Sequence, residues 1–110
     1  MSTPTFDRGF VEHVLEVVDS IPPGRVMTYG DVAAALGSRA ARGVGQVMAY
    51  YGSSSPWWRV LRAGGHPPRG LAARAFAYYE HEGTPLIVTT TDEGYRVDYA
   101  RCRWSPSASS

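Results

Sequence analysis

The sequence predicts a mainly α-helical domain with a small β-hairpin, in the element order of a winged helix-turn-helix fold. Apolar residues recur at helical spacing over the first half of the chain, and only a short glycine-serine turn separates two of the helical segments. Alternating apolar and polar residues follow the last helix. With 110 residues and 44% hydrophobic content, the chain fits one core. We therefore expect a single domain over residues 1–104 and a disordered tail over residues 105–110.

The first helix is predicted over residues 6–19, because apolar residues fall on one face of this segment. These residues are Phe10, Val11, Val14, Leu15 and Val18. Pro22, Pro23 and Gly24 then end the helix.

A second helix is predicted over residues 29–36, since Thr28 and Asp31 stand at the spacing of a capping box. Gly37 would stop this helix, and Ser38 would start a third helix that continues to about Tyr51. The tight turn between the two helices is typical of a helix-turn-helix.

The second half of the chain predicts one more helix and the hairpin. After a serine-rich loop at residues 52–56, residues 57–61 are predicted to be extended, and residues 63–70 form a loop rich in glycine and proline. A fourth helix is predicted over residues 71–82, closed by Gly83. Residues 86–90 and 95–99 alternate around a turn sequence, which predicts a hairpin.

The charges are unevenly distributed along the chain, although the formal net charge is only +1. Between Val32 and Tyr79 there is no acidic residue, but there are six arginines: Arg39, Arg42, Arg59, Arg62, Arg69 and Arg74. Such a stretch is typical of a polyanion-binding face, and a solvated basic surface is the equal alternative. Gly43 and Gly45 in the third helix each cost about 1 kcal/mol relative to alanine, so another helix or a DNA strand is expected to approach there.

Several classes of protein are not expected from this composition. The single cysteine, Cys102, gives no disulfide framework, and with three scattered histidines it forms no recognisable metal-ligand cluster. We therefore expect neither metal nor cofactor. No apolar run has the length of a membrane span, and the first residues lack the pattern of a secretion signal. These features predict a cytoplasmic protein without membrane association.

Four blocks of the sequence resemble, in order and spacing, the C-terminal domain of alkylguanine-DNA alkyltransferases. The resemblance covers roughly residues 6–83. The blocks are Gly24-Arg25-Val26-Met27-Thr28-Tyr29-Gly30-Asp31-Val32-Ala33, Ala41-Arg42-Gly43-Val44-Gly45, Pro56-Trp57-Trp58-Arg59-Val60 and Glu82-Gly83. The resemblance implies a winged helix-turn-helix domain that binds DNA.

In that family, a cysteine after the proline of the third block takes the alkyl group from the 6-oxygen of guanine. Trp57 stands at this position. The chain therefore resembles the sister group of alkyltransferase-like proteins, which implies that it is not an enzyme. Cys102 is the alternative nucleophile, but a lone cysteine beyond the hairpin is usually a small apolar residue.

The resemblance implies DNA or lesion binding by five residues: Tyr29, Arg42, Trp57, Arg59 and Arg69. Arg42 matches the finger that enters the base stack, and Tyr29 matches the tyrosine that presses on the phosphate of the target nucleotide. Trp57 would stack on the flipped base, Arg69 would cover it, and Arg59 would support the pocket. On the residues alone, surface arginines and a core tyrosine remain the alternatives.

Three further residues are expected to line the pocket or support it: Trp58, Tyr51 and Glu82. Trp58 stands where the family usually has histidine, so no histidine relay to Glu82 is expected, and Glu82 becomes a structural hydrogen-bond partner. Adjacent residues of an extended segment point opposite ways, so one tryptophan is expected to line the pocket and the other to pack in the core. The motif position in the family that the chain resembles implies that Trp57 is the pocket residue. Tyr51 would contact the sugar-phosphate backbone or close the core.

Together these inferences predict a monomeric DNA-damage sensor. It would bind 6-O-alkylguanine in double-stranded DNA from the minor groove, flip the lesion into a pocket and flag it for nucleotide excision repair proteins. The main alternative is a winged-helix transcriptional regulator that reads undamaged DNA through base edges in the major groove. An active alkyltransferase that uses Cys102, and a degenerate domain retained for protein interactions, are further alternatives.

Overall fold

The structure is a computed structural model and describes residues 7–106 of the chain. Its first helix, α1, spans Arg8–Ser20 and begins at Asp7, whose carboxylate accepts a hydrogen bond from the Gly9 amide. The predicted helix is confirmed, and it ends one residue later than expected. Phe6, its predicted start, lies outside the described residues. Val14 and Val18 of α1 are completely buried.

The predicted capping box and helix-turn-helix are both present. Strand β1 (Met27–Thr28) leads into α2 (Tyr29–Ala35), where the Thr28 hydroxyl accepts from the Asp31 amide and the Asp31 carboxylate accepts from the Thr28 amide. Helix α3 spans Ala41–Tyr51. The prediction that Ser38 starts this helix is wrong, because its hydroxyl accepts from the Ala40 amide within the turn, three residues before the helix begins.

Helices α1, α2 and α3 enclose the first core. Six of its members come from one face of each helix and are almost completely shielded from solvent: Val14, Val18, Val32, Ala33, Val44 and Val47. Ile21, Met27, Met48 and Val60 complete the buried cluster. A Cβ added at Gly43 would lie 3.6 Å from the Phe10 ring, which is ordinary van der Waals contact, so the approach of α1 does not by itself require a glycine here. A Cβ at Gly45 would meet nothing within 4 Å, which leaves an open space beside the outer face of α3.

A short parallel pairing joins the two halves of the fold. Strand β1 pairs with β2 (Val60–Leu61), with Met27 opposite Val60. On the other side, the Val26 amide donates to the Cys102 carbonyl and the Trp104 amide donates to the Val26 carbonyl, at 3.0 and 2.9 Å. Within residues 57–61, only Val60 and Leu61 are extended. Trp57–Arg59 forms a turn of 3₁₀ helix, which corrects the predicted extended conformation.

The last helices and the hairpin enclose a second core. Helix α4 spans Ala72–Glu82 and ends as predicted at Gly83, which has a left-handed φ of 71°. Strands β3 (Leu86–Val88) and β4 (Tyr95–Val97) form the predicted antiparallel hairpin, in a shorter form. Helix α5 (Tyr99–Cys102), which was not predicted, begins where the second strand was expected to continue. This mainly helical architecture with one small hairpin confirms the predicted fold class.

Ser105 and Pro106 are half-buried, and residues 107–110 of the predicted tail lie outside the described residues. None of the helices within residues 7–106 combines the length and apolar character needed to cross a membrane.

Gly65 offers a test of how closely the hairpin is packed. It has a φ of +92°, and an added Cβ would overlap the main-chain carbonyl oxygen of Val97. Gly37 has a similar φ of +70° but open space around it. We expect Gly37→Ala to lower the free energy of unfolding by about 1 kcal/mol through backbone strain alone, and Gly65→Ala to lower it by about 3 kcal/mol. Urea denaturation measures both, and equal losses would contradict the tight packing of β4 on this loop.

Candidate nucleic-acid interface

A small pocket of about 230 Å³ lies where α2, α3 and the loop before α4 meet. Its wall includes three of the residues predicted to bind the lesion, namely Tyr29, Trp57 and Arg69. Met48 and Leu71 contribute apolar surface. The remaining lining consists of small or rigid residues: Gly45, Ala49 and Pro68. The pocket is therefore largely apolar, with a phenol, an indole and a guanidinium around it.

Tyr29 is fixed at the first position of α2 by the capping box that precedes it. Burial raises the pKa of its phenol, and the positive charge of Arg62 only partly opposes this shift. The hydroxyl therefore stays neutral at physiological pH. A neutral phenol can donate a hydrogen bond to an anionic oxygen.

Other aromatic and cationic groups hold Trp57 in place. Its ring packs edge-on against Trp58 and against Tyr78 of α4, with ring centroids 5.6 Å apart in both cases. The guanidinium of Arg74 lies 5.6 Å from the centroid of the Trp57 ring, within the range of a cation–π contact. Arg74 and Tyr78 are one helical turn apart on α4, so the same helix face supplies both contacts.

The Glu82 carboxylate lies behind this aromatic group and accepts hydrogen bonds from three residues on two separate segments. The Gly24 amide donates at 3.0 Å, the Trp58 indole at 2.9 Å, and Arg59 donates through Nε at 3.1 Å and Nη2 at 2.5 Å. Arg59 also donates to the carbonyl of Ile21. Burial alone would raise the pKa of Glu82, but the hydrogen bonds from Arg59, Gly24 and Trp58 outweigh it and lower this pKa below its ordinary value.

This arrangement separates the predicted pocket residues into two groups. Trp57 lines the pocket, whereas Trp58 stacks on Tyr78 with ring centroids 3.8 Å apart and belongs to the supporting structure. The Arg59 side chain is 14% exposed and bound to Glu82, so it lies in the interior, and its inclusion among DNA-binding residues does not fit its position. The predicted role of Glu82 as a structural hydrogen-bond partner does fit its contacts.

Not all six arginines between Val32 and Tyr79 are available at the surface. Arg59 and Arg62 are ion-paired with Glu82 and Glu93, respectively. The other four arginines of the stretch are exposed: Arg39, Arg42, Arg69 and Arg74. Two of the six arginines are therefore engaged in ion pairs, and the four exposed ones could contact phosphates.

One residue predicted to bind DNA, Arg42, and one predicted to line or support the pocket, Tyr51, lie on α3, outside the lining of the pocket. Arg42 is the second residue of this helix and is exposed. Tyr51 is its last residue and is also exposed, at 41%. The sequence had not identified Met48, Leu71, Tyr78 and Arg74 as parts of the site. For the last two, their one-turn spacing on an exposed helix face was a usable signal.

Cys102 lies away from the pocket, on α5. Its thiol donates to the carbonyl of Asp98 at 3.2 Å, and burial raises its pKa to about 11. The thiol is therefore protonated at neutral pH. Within residues 7–106, no group of histidine, cysteine and carboxylate side chains is arranged to hold a metal ion.

A helix-turn-helix with exposed arginines and a small apolar pocket beside its third helix defines a domain of the nucleic-acid-binding class. The family model described as "6-O-methylguanine DNA methyltransferase, DNA binding domain" matches residues 9–84, and the chain belongs to this family. Within the family, the chain is of the alkyltransferase-like type. Alkyltransferase-like protein 1 of Schizosaccharomyces pombe is 33% identical over 104 residues, which cover 88% of this chain and 95% of that protein.

Two other similarities are informative. A DNA base-flipping protein of Escherichia coli is 49% identical over 59 residues, which are 51% of this chain and 46% of that protein, so the match spans about half of the relative. The crystal structure of S. pombe Atl1 in complex with damaged DNA containing O6-carboxymethylguanine superimposes with a TM-score of 0.78 at 30% identity. That superposition covers 93% of this chain and all of the other.

The contribution of Glu82 to the stability of the fold can be compared with that of Glu93, which forms the second ion pair. Glu82→Gln leaves Arg59 without its buried partner and should lower the free energy of unfolding at pH 7 by about 3 kcal/mol. Glu93→Gln breaks a more exposed pair with Arg62 and should cost about 1 kcal/mol or less. Urea denaturation of both variants measures this difference.

The stability that Glu82 contributes should decrease in acid. Because the folded-state pKa of Glu82 is lowered, its contribution is complete above the ordinary glutamate pKa of about 4.3 and is lost as the pH falls through the lower folded value. The wild type and Glu82→Gln should therefore converge in stability in acid. A stability difference that stays constant from pH 7 to pH 2 would contradict the assigned hydrogen bonds.

Proposed function

We propose that the protein senses DNA damage by holding a flipped 6-O-alkylguanine in the pocket between Tyr29, Trp57 and Arg69. The observation that carries the proposal is that these residues, distant in the sequence, line one small apolar pocket beside the helix-turn-helix. Its volume of about 230 Å³ is below the range of roughly 300–1,000 Å³ that is usual for drug-sized ligands. This size suits a single base.

Each wall of the pocket would contribute a different contact. Stacking on the Trp57 indole would contribute about 1–3 kcal/mol, and Met48 and Leu71 would receive the alkyl group without loss of a hydrogen bond. The Arg69 guanidinium would cover the base, and the neutral Tyr29 hydroxyl would donate to the phosphate of the rotated nucleotide. Because flipping costs less when pairing is already weakened, alkylation itself would favour extrusion of the damaged base.

The exposed arginines would hold the duplex against the pocket. Arg42, near the start of α3, would enter the stack where the flipped base had been, with approach from the minor groove. Arg39 and Arg74 would contact phosphates, and the lack of a side chain at Gly45 leaves the space that a backbone needs. The names of the relatives, which include base-flipping proteins and a protein bound to damaged DNA, support this reading.

We further propose that the protein flags the lesion for nucleotide excision repair instead of repairing it. Tryptophan cannot accept an alkyl group as a thiolate does, and Trp57 occupies the motif position of the nucleophile. The Cys102 thiol cannot replace it, because that thiol is buried and has a pKa of about 11.

Lesion recognition is tested by comparing one duplex with and without a single O6-methylguanine, at fixed salt concentration. We expect tighter binding to the alkylated duplex, whereas a regulator that reads a fixed sequence would bind both equally. Arg42→Ala should weaken lesion binding about tenfold or more through the lost stacking. Arg101→Ala, which removes the same charge from α5, is the control and should have little effect. Equal losses in the two variants would contradict the role of Arg42.

A cysteine introduced at position 57 tests whether Trp58 also limits alkyl transfer. Trp57→Cys should transfer alkyl groups slowly, because a thiol with an ordinary pKa of about 8.5 is mostly protonated and the Trp58 indole cannot act as its base. The double variant Trp57→Cys with Trp58→His should be faster. Single-turnover transfer from labelled O6-methylguanine DNA, with intact-mass spectrometry, measures both rates. The unmodified protein should gain no mass, and a single variant as fast as the double would show that Trp58 does not limit the reaction.

A further inference from the structure

A second and larger groove lies on the other side of α2. It has a volume of about 430 Å³ and is formed by β1, α2 and the segment that follows α5. Two cations, Arg25 and Arg103, line it together with apolar surface from Met27, Ala35 and Trp104. None of these residues belongs to the lining of the smaller pocket. We call this feature the Arg25–Trp104 groove.

The groove and the smaller pocket use opposite faces of the same helix. Tyr29 faces the smaller pocket, whereas Asp31, Ala34 and Ala35 line the groove. At about 100° of rotation per residue, these three positions centre roughly 180–200° around the helix from Tyr29. A duplex seated on α3 and the smaller pocket would therefore leave the Arg25–Trp104 groove open to a second partner.

Main-chain carbonyls hold the guanidinium of Arg25 in a fixed orientation. Its Nε donates to the Cys102 carbonyl at 3.2 Å, and its Nη2 donates to the Arg103 carbonyl at 2.8 Å. These two bonds leave three of the five N–H donors of the guanidinium without a bond among residues 7–106. The free donors are one on Nη2 and both on Nη1. The Nη2 donor and one Nη1 donor lie side by side and form an edge that can bind a carboxylate through two parallel bonds.

The one acidic residue of the groove is already engaged. The Asp31 carboxylate accepts hydrogen bonds from the Thr28 amide and the Tyr99 hydroxyl. A duplex would make no use of the Trp104 and Ala35 surface. A peptide that carries both carboxylate and apolar side chains complements the two arginines and the apolar floor at once.

We propose that the Arg25–Trp104 groove binds an acidic, partly apolar segment of a partner protein. A carboxylate of that segment would sit on the fixed edge of Arg25, near Arg103, and a neighbouring apolar side chain would pack on Trp104. The proposal rests on the proposed function only in that the partner would join a protein already bound to DNA.

The test is a titration of the ¹⁵N-labelled full chain, without DNA, with an acetylated and amidated peptide of sequence Glu-Asp-Leu-Phe-Asp-Glu. We expect saturable shifts of the Trp104 indole and Tyr99 amide signals, and no such shifts with the Gln-Asn-Leu-Phe-Asn-Gln peptide. Arg103→Gln should weaken binding about fivefold or more, as should Arg25→Lys, which keeps the charge but loses the paired donors. Arg101→Gln, the matched charge control on α5, should weaken binding less than about twofold.

Three results would overturn the proposal: equal binding of the neutral peptide, equal losses in Arg101→Gln and Arg103→Gln, or displacement of the peptide by undamaged duplex. The last result would make the groove a DNA surface. Arg25→Lys and Arg103→Gln are first checked for an unchanged amide spectrum, so that a folding defect is not read as lost binding. Binding of O6-methylguanine DNA is measured separately and should be unchanged in Arg103→Gln. Failure of lesion recognition therefore remains distinguishable from failure of this proposal.

Discussion

The Glu82 carboxylate is the contact on which the candidate site depends. It joins the end of α4 to the Gly24 turn and to the Trp57–Arg59 turn, three segments that are far apart in the sequence. Burying a carboxylate is costly, and here donors from Gly24, Trp58 and Arg59 offset that cost. Because Trp58 and Arg59 are held from behind, the adjacent Trp57 is held in its position on the pocket wall.

This support would let the proposed binding site keep its shape although Trp57 offers no thiol nucleophile. The indole of Trp58 both bonds to Glu82 and stacks on Tyr78, so the supporting structure is aromatic at the place where the family motif has histidine. Such a structure stabilises the fold and orients Trp57, and the Trp58 indole is a donor only, so it could not accept a proton from a thiol as a histidine could. Under the proposed function, the site would serve binding alone, and its specificity would come from the fit of a flipped base.

The parts of the fold that depend on local sequence were predictable, and those that depend on distant pairing were not. Thr28 and Asp31 gave the start of α2, and Gly83 gave the end of α4, because caps are set by a few neighbouring residues. Strands of two residues, such as β1 and β2, are too short to show alternation. Likewise, nothing near Arg59 in the sequence reveals that Glu82 is its partner. The family motif identified Tyr29, Trp57 and Arg69, but the apolar lining depends on tertiary packing.

Under the proposed function, an alkylated guanine leaves the duplex and lies against Trp57 in the pocket. The most direct measurement uses a duplex in which the methyl group of O6-methylguanine carries ¹³C, bound to the protein and observed by NMR. We expect nuclear Overhauser contacts from this methyl group to the Trp57 ring and to the Met48 methyl, with loss of contacts to the neighbouring bases. A methyl group that keeps its contacts to the flanking bases in the bound duplex, and has none to Trp57, would contradict the proposed function.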